Sequence, residues 1–488
     1  MSSSDLIERE NPAHPGEIVG SVQLTAPASV DAIVSAADVA QQDWATHTLE
    51  HRCAHLTAAV ASLTEDRVDE LANVLARELG KPLPDSRGEI GFAAVFLRYC
   101  IESAPAVLAE HEIDDEAGRL SFRKVPYGVV AAITPWNAPV ILSMLKIAPA
   151  LVAGNAVVVK PSPYAPLAIT GVIESLAATL PDGLLQVVHG GPETGEALIA
   201  HPLVRKIAFT GGNAVAKAIG RAAAVSITPT VMELGGNDAA IFLDDAVLDD
   251  AAFDRIVTAS YATSGQVCMA SKRIYVHRAR YDEFVTGFVA AAGRMVRLGD
   301  PLVEGVTVGP VVNRAARERL EKLIAEATAS GGQVIDVGVV DPSTTDDGYY
   351  VRPRLVLGLS DHERLVCEEQ FGPVVPVLVY DDVDEAIERA NAGELGLGAS
   401  VWSADESRAF GIAARLEAGF VFINTHNRTG MSMRAPFGGV KKSGFGREYG
   451  DEGLLEYVQT CVTHAPALFR AGADPEATAR ASRAYPGQ

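Results

Sequence analysis

The sequence predicts an α/β fold built on mainly parallel sheet, and three observations carry that prediction. Compact apolar runs recur at 128–133, 156–159, 185–189 and 206–209, too short for helices and without the alternation of a half-exposed strand. Helical spacing separates them, most clearly at 167–180. Two of the runs end on residues suited to ligand loops: Lys160 after the second, and Thr210, Gly211 and Gly212 after the fourth. Buried strands alternating with helices, with loops of this kind at the strand ends, describe a layered parallel sheet.

The N-terminal hundred residues read differently. Residues 17–24 suggest a short strand, and Ser29 stands as N-cap before Val30, Ile33, Val34 and Ala37 at helical spacing. Thr64 opens a second helical stretch with Val68, Leu71, Leu75 and Ala76 on one face, ending near Gly80. From there to about 108 the chain is mostly helical in character. A second α/β block starts near 236, with strands at 274–276 and 354–356 and helices at 281–296 and 315–329. Residues 331–350 carry little regular patterning and read as a surface loop, and 452–462 as a helix or an extended arm. The Ala-, Arg-, Pro- and Gly-rich final ~20 residues read as loosely ordered.

A chain of 488 residues exceeds one simple core, so two or three domains are expected. With 48% hydrophobic and 21% charged residues, a largely disordered chain is excluded. The formal charge of -21, from 41 basic and 62 acidic residues, disfavours nucleic acid and anionic lipid as partners, because no basic stripe offsets phosphate charge. Five cysteines, at 53, 100, 268, 367 and 461, form neither a CxxC pair nor a dense framework, so free thiols in a reducing compartment are expected, with no metal site. No secretory signal opens the chain. The apolar stretches 129–139 and 140–154 are broken by Pro135, Asn137, Pro139, Lys146 and Pro149, short of the ~20 clean apolar residues of a membrane span. A cytoplasmic protein is the expectation. There is no internal repeat and no complete GxGxxG signature after a strand, so periodicity alone leaves any cofactor open.

Three segments carry candidate chemistry. Cys268 follows the turn Ser264-Gly265-Gln266-Val267, where exposed backbone N–H groups favour a thiolate and later an oxyanion. Set between Val267 and Met269, it reads on local sequence alone more often as inert packing. Glu233 lies in Met232-Glu233-Leu234-Gly235-Gly236-Asn237-Asp238, an apolar setting whose partial burial would raise its pKa into the range of a useful base. A structural carboxylate bound to its own loop is the alternative. Asn137, in Thr134-Pro135-Trp136-Asn137-Ala138-Pro139, could donate its amide to an oxyanion or serve an Asx turn.

Taken together these blocks resemble the aldehyde dehydrogenase superfamily across residues 11–463. The matching segments are TPWNAP at 134–139, GNAVVVKPSP at 154–163, FTGG at 209–212, MELGGND at 232–238, GQVCMA at 265–270, EEQFGPV at 368–374 and PFGGVKKSGFGRE at 436–448. Each is modest alone; their order and spacing make chance agreement untenable.

The resemblance implies an aldehyde dehydrogenase fold with three regions. These are a Rossmann-like cofactor domain (1–108 and 127–235), an α/β catalytic domain (236–453), and a small β oligomerisation element (109–126 and 454–472), followed by a C-terminal tail at 473–488. It implies Cys268 as nucleophile, Asn137 and the Cys268 amide as oxyanion donors, and Glu233 as the base for a deacylating water, hence a hydrolytic, non-acylating enzyme. For the cofactor it implies Lys160 and Ser162 at the adenosine ribose, Gly211 and Gly212 at the pyrophosphate, Glu369 and Phe371 at the nicotinamide ribose, with Trp136 and Leu234 as further contacts. Lys146 and Glu448 resemble residues of a proton route, or form a packing salt bridge.

Two departures stand out. Gly212 and Ala216 replace the serine and glycine common in the pyrophosphate loop, and Pro163 stands where strongly NAD-selective members place a glutamate. The missing carboxylate removes a repulsion against NADP, so NAD is the leading cofactor with NADP admitted. Ala138, Leu142, Leu145, Val267 and Met269 align with the substrate channel and suggest an apolar mouth, with His426 and Arg428 in a variable loop beside it. That favours an aromatic (benzaldehyde- or vanillin-like) or medium-chain aliphatic aldehyde. The alternatives are a carboxylate-bearing semialdehyde, met by Arg428 or Arg434, a CoA-acylating enzyme, and a non-enzymatic scaffold. A homodimer or homotetramer is expected.

Overall fold

The computed structural model describes residues 6–470 and Glu476, so the expected C-terminal tail falls outside the described residues apart from Glu476. Its first sheet has six strands. Taken in chain order, the five parallel strands are Val129–Ile133, Ala156–Lys160, Leu185–Val187, Val204–Thr210 and Thr230–Glu233. Across the sheet they lie third, second, first, fourth, fifth, with the antiparallel pair Gly444–Phe445 closing the far edge. This is the Rossmann-like order, and its direction reverses between Val129–Ile133 and Val204–Thr210, the place where such sheets open a ligand crevice at their carboxyl ends. The apolar runs of the sequence are these strands; Val129–Ile133, Ala156–Lys160 and Val204–Thr210 are fully or nearly buried on both faces, and the edge strand Leu185–Val187 is half-buried.

Helices cover this sheet. Pro139–Ala153 is buried except at Ile141 and Leu142, which are partly exposed, so its apolar composition reflects a central position in the core. Val30–Thr46 packs on the strand Ala156–Lys160, and the Trp44 indole N–H donates to the Leu151 carbonyl at 2.9 Å. Thr64 caps the helix Glu65–Leu79 by accepting from the Arg67 N–H, and Gly80 ends it at φ 77°. Ser29 precedes its helix without a side-chain capping bond. Among the described residues one helix, Leu83–Val107, is long and apolar enough to cross a membrane. In the fold it buries Ile90, Ala93, Phe96, Leu97, Cys100 and Ala104 in the first core, and its buried Glu89 accepts from the Val140 N–H at 2.9 Å.

The second sheet has seven strands. From edge to edge these are Gln333–Asp336, Arg354–Leu357, Val374–Tyr380, Ser271–His277, Asp238–Phe242, Gly398–Trp402 and Phe420–Ile423, all parallel except the first pairing. A separate aromatic core holds it, with Phe242 4.6 Å from both Phe284 and Trp402 by ring centroids. A third sheet joins His111–Asp115, Gly118–Pro126 and Val458–Pro466 in antiparallel register.

Several local expectations need correction. The strand read at 17–24 is the second arm of a hairpin, Leu6–Asn11 with His14–Gln23. The stretch 331–350 is not structureless: Gln333–Asp336 is the sheet's antiparallel edge, and Val339–Val340 pairs with Arg297–Leu298. Both strands are too short for periodicity to reveal, and tertiary pairing creates them. The segment 452–462 is both things at once, the end of the helix Gly450–Leu455 followed by the strand Val458–Pro466.

Because Phe242 is fully buried between two aromatic partners, Phe242→Ala is expected to destabilise the protein by about 3–5 kcal/mol. A urea-unfolding series that moved by less than about 1 kcal/mol would contradict that packing.

Candidate active site

The carboxyl ends of the first sheet bring the expected cofactor residues onto one crevice. Trp136 and Asn137 follow the strand Val129–Ile133, Lys160 ends its neighbour, Gly211 and Gly212 follow Val204–Thr210, and Leu234 follows Thr230–Glu233. Gly212 begins the helix Asn213–Ser226 with no side chain capping its first N–H groups, and a Cβ there would meet nothing within 4 Å. Open space before uncapped N–H groups suits a pyrophosphate. A Cβ on Gly211 would meet the Phe209 ring at 2.6 Å, so the approach needs glycine. Lys160 is almost fully buried, and burial brings its ammonium down to about 8, a desolvated cation that a ligand hydroxyl or phosphate would satisfy. The Ser162 hydroxyl accepts from the Tyr164 N–H at 3.2 Å. Opposite, Phe371 sits edge-on to Trp136 with ring centroids 5.5 Å apart, held at φ 52°. These residues fit a dinucleotide.

The turn before Cys268 is strained in a way composition did not signal. Thr263, Ser264 and Gly265 all have positive φ, at 53°, 57° and 69°. Non-glycine residues hold that conformation only where surroundings over-determine it. Here the Ser264 hydroxyl donates to the Gly309 carbonyl at 2.8 Å, Gln266 accepts from the Val312 N–H at 3.0 Å, and a Cβ on Gly265 would lie 2.3 Å from the Gly372 carbonyl oxygen. The Asn137 amide donates to the Gln266 carbonyl at 2.9 Å, tying this turn to the first sheet. An Asx turn is therefore not its use. One N–H of the amide holds the turn before Cys268. Burial pushes the Cys268 thiol up to about 12, opposed chiefly by Lys272.

Behind the turn, Glu233 is buried with both carboxylate oxygens lacking a hydrogen-bond partner. Burial, then repulsion from Glu448, raises its pKa well above the ordinary carboxylate value, while Lys146 and Arg447 pull the other way. Glu448 itself is paired: the Lys146 ammonium lies 2.5 Å from it and donates to the Thr210 hydroxyl at 2.6 Å. Lys146 and Glu448 therefore form a buried ion pair beside Glu233.

A cleft of about 330 Å³ opens over Cys268. Of the expected lining residues, Ala138, Leu142, Leu145, Val267, Met269 and Arg428 border it. His426 does not. It is fully buried, with Nδ1 2.8 Å from the Ser400 hydroxyl and Nε2 3.6 Å from Asp238, because the chain turns inward there before emerging at Arg428. Arg428 pairs with Asp85 at 2.9 Å at the rim. Sequence reading missed Asp85, Met431, Phe437 and Tyr449, which also border the cleft, and the buried Lys81–Glu89 pair, whose lysine donates to the Asn137 carbonyl at 3.0 Å. The one local hint was a lysine between Gly80 and Pro82, where no helix can continue.

With this geometry established, the comparisons with known proteins agree on one family. The Aldehyde dehydrogenase family model matches residues 1–462. The chain is 37% identical over 454 residues to a betaine aldehyde dehydrogenase of Rhizobium etli, covering 93% of this chain and 92% of that protein. It is 37% identical over 448 residues to a Sinorhizobium fredii protein named "Probable succinate-semialdehyde dehydrogenase", NADP(+), covering 91% and 89%. The crystal structure of an NAD-dependent aldehyde dehydrogenase from Sinorhizobium meliloti superposes with a TM-score of 0.90 at 33% identity, covering 97% of this chain and 93% of that one. The chain belongs to the aldehyde dehydrogenase family, and it is an NAD(P)-dependent enzyme that oxidises an aldehyde to the carboxylic acid.

Proposed function

We propose that the enzyme works by a hydrolytic covalent route, with Cys268 as nucleophile and water as the final acyl acceptor. The observation that carries this reading is Glu233, a buried carboxylate with no partner beside the nucleophile's turn. The Cys268 sulfur bonds to the aldehyde carbon as the carbonyl electron pair moves to oxygen, and the thiol proton leaves to a base. Asn137 and the Cys268 backbone N–H donate to that oxyanion. Bound NAD(P)+ supplies the hydride acceptor, and the enzyme is left as a thioester on Cys268. Water then attacks the acyl carbon while Glu233 takes its proton, and the carbon–sulfur bond breaks to release the acid. The buried Lys146–Glu448 pair, which acts electrostatically on Glu233, is proposed as the group that passes that proton on. NAD is the leading cofactor, with NADP accepted, since Pro163 presents no carboxylate to a ribose phosphate.

For the substrate we propose a carboxylate-bearing aldehyde. Its methylene spacer would run along Ala138, Leu142, Leu145, Val267 and Met269, and its carboxylate would reach Arg428 at the rim. The semialdehyde named for the Sinorhizobium fredii relative has this composition. A neutral aromatic or medium-chain aldehyde is the second reading, favoured by the apolar wall and by Asp85, which already pairs with Arg428. We further propose a cofactor unit at 1–108 and 127–235, a catalytic unit at 236–453, and assembly into a dimer or tetramer through 109–126 and the arm from 454. The strand Val458–Pro466 is exposed along most of its length.

Glu233→Gln is expected to slow acyl-enzyme decay by about 10²–10⁴-fold with little loss of cofactor affinity, seen by quenched-flow mass spectrometry. Because the Glu233 pKa is raised, its basic form appears only above the usual carboxylate range. Wild-type decay should therefore quicken as pH rises through that shifted value, and the variant should lack this limb. Acyl-CoA instead of free acid as the product would overturn the hydrolytic route. In a substrate panel, Arg428→Leu should raise KM for semialdehydes about tenfold or more while sparing benzaldehyde-like substrates. An equal effect on both classes would reject the carboxylate reading.

A further inference from the structure

Lys272, the second residue of the strand Ser271–His277, is a buried cation placed directly behind the nucleophile. Its ammonium donates to the Val267 carbonyl at 2.7 Å and to the Cys268 carbonyl, and it stands 3.4 Å from the Glu369 carboxylate. Three donors thus meet three acceptors, and the lysine is fully used. The arrangement is braced from both sides. Gln370 donates to the Lys272 carbonyl at 2.7 Å, and the Glu369 carboxylate accepts from the Gly236 N–H at 3.1 Å. Gly235 and Gly236 leave the room this requires: a Cβ on Gly235 would meet the Glu369 carboxylate at 2.4 Å, and one on Gly236 would meet the Cys268 carbonyl at 2.5 Å.

We propose that Lys272 is a positioning residue that sets the reactivity of Cys268, holding the nucleophile's turn by two carbonyls while dividing its charge between the sulfur and Glu369. The inference rests on the reading of Cys268 as nucleophile. Around that sulfur the charges are unequal. Glu369, on the segment before the strand Val374–Tyr380, Asp238, on the strand that pairs with Ser271–His277, and Glu233 on the first sheet all oppose a thiolate, and Lys272 is the cation that favours one. The two residues of the Lys272–Glu369 pair therefore act on the sulfur with opposite signs. Removing the lysine leaves three carboxylates unopposed. Removing the Glu369 charge releases the ammonium to act on the sulfur alone.

The test is the pH profile of Cys268 alkylation by iodoacetamide, followed by peptide mass spectrometry on the full-length chain without added cofactor. Lys272→Met is expected to move the profile upward by about one pH unit, a roughly tenfold slower reaction at a fixed pH below the midpoint. Lys272→Arg should recover most of the wild-type rate, and Glu369→Gln should move the profile downward. A lysine needed only for folding would give no such opposition of sign. If Lys272→Met does not fold, the Glu369→Gln shift decides: downward supports the inference, and no shift or an upward one overturns it. Equal profiles for wild type and Lys272→Met also overturn it, while leaving Cys268 as nucleophile intact. A homogeneous Cys268→Ala variant that keeps dehydrogenase turnover defeats the nucleophile reading, and this inference with it.

Discussion

The active site depends on one short stretch of strained backbone. Thr263, Ser264 and Gly265 carry the chain through three successive left-handed conformations, and only afterwards does Cys268 arrive over the cleft. Such a turn costs of order 1–3 kcal/mol per non-glycine residue and survives only if neighbours hold it. The neighbours come from both sheets. Asn137 reaches it from the first, Lys272 from the second, and the Gly309 and Gly372 backbones close it from below. Cys268 is thus fixed by groups far apart in sequence, and those groups place it over the cleft.

The second theme is where charge is allowed to remain unbalanced. Lys146 with Glu448, and Lys81 with Glu89, are buried pairs whose charges cancel. Breaking such a pair leaves an uncompensated buried charge, which explains why they make good braces. Glu233 is treated differently. It is buried and faces the nearby Glu448 carboxylate, and both favour the protonated form over the opposing pull of Lys146 and Arg447. A buried carboxylate held away from its ordinary pKa close to Cys268 is the arrangement expected of a group that exchanges protons.

His426 shows how far local reading can mislead. In sequence it stands beside Asn427 and Arg428 in a polar, variable-looking loop, and a polar residue there is a fair choice for a substrate contact. In the fold the loop dips into the second sheet before it surfaces. His426 fills the dip against Ser400 and Asp238, while Arg428, two residues on, reaches the rim. The same blindness hid Asp85, Phe437 and Tyr449, which reach the cleft from segments with no chemical signature of their own. Glu89, on the helix Leu83–Val107, has no motif around it and is buried, bonded to Lys81 and the Val140 N–H.

Short-range physics was legible before any coordinates. Doubly buried strands must be apolar on both faces, so Val129–Ile133 and Ala156–Lys160 announce themselves, and helix starts such as Thr64 carry their own hydrogen-bond chemistry. The motif blocks likewise fixed the family, because glycines at close approaches and reactive side chains at strand ends tolerate little substitution. What the chain could not disclose was pairing at a distance. The two-residue strand at Val339–Val340, the lysine behind Cys268 and the histidine turned inward all depend on which segments meet, and contacts between residues remote in sequence leave no periodic trace in either one.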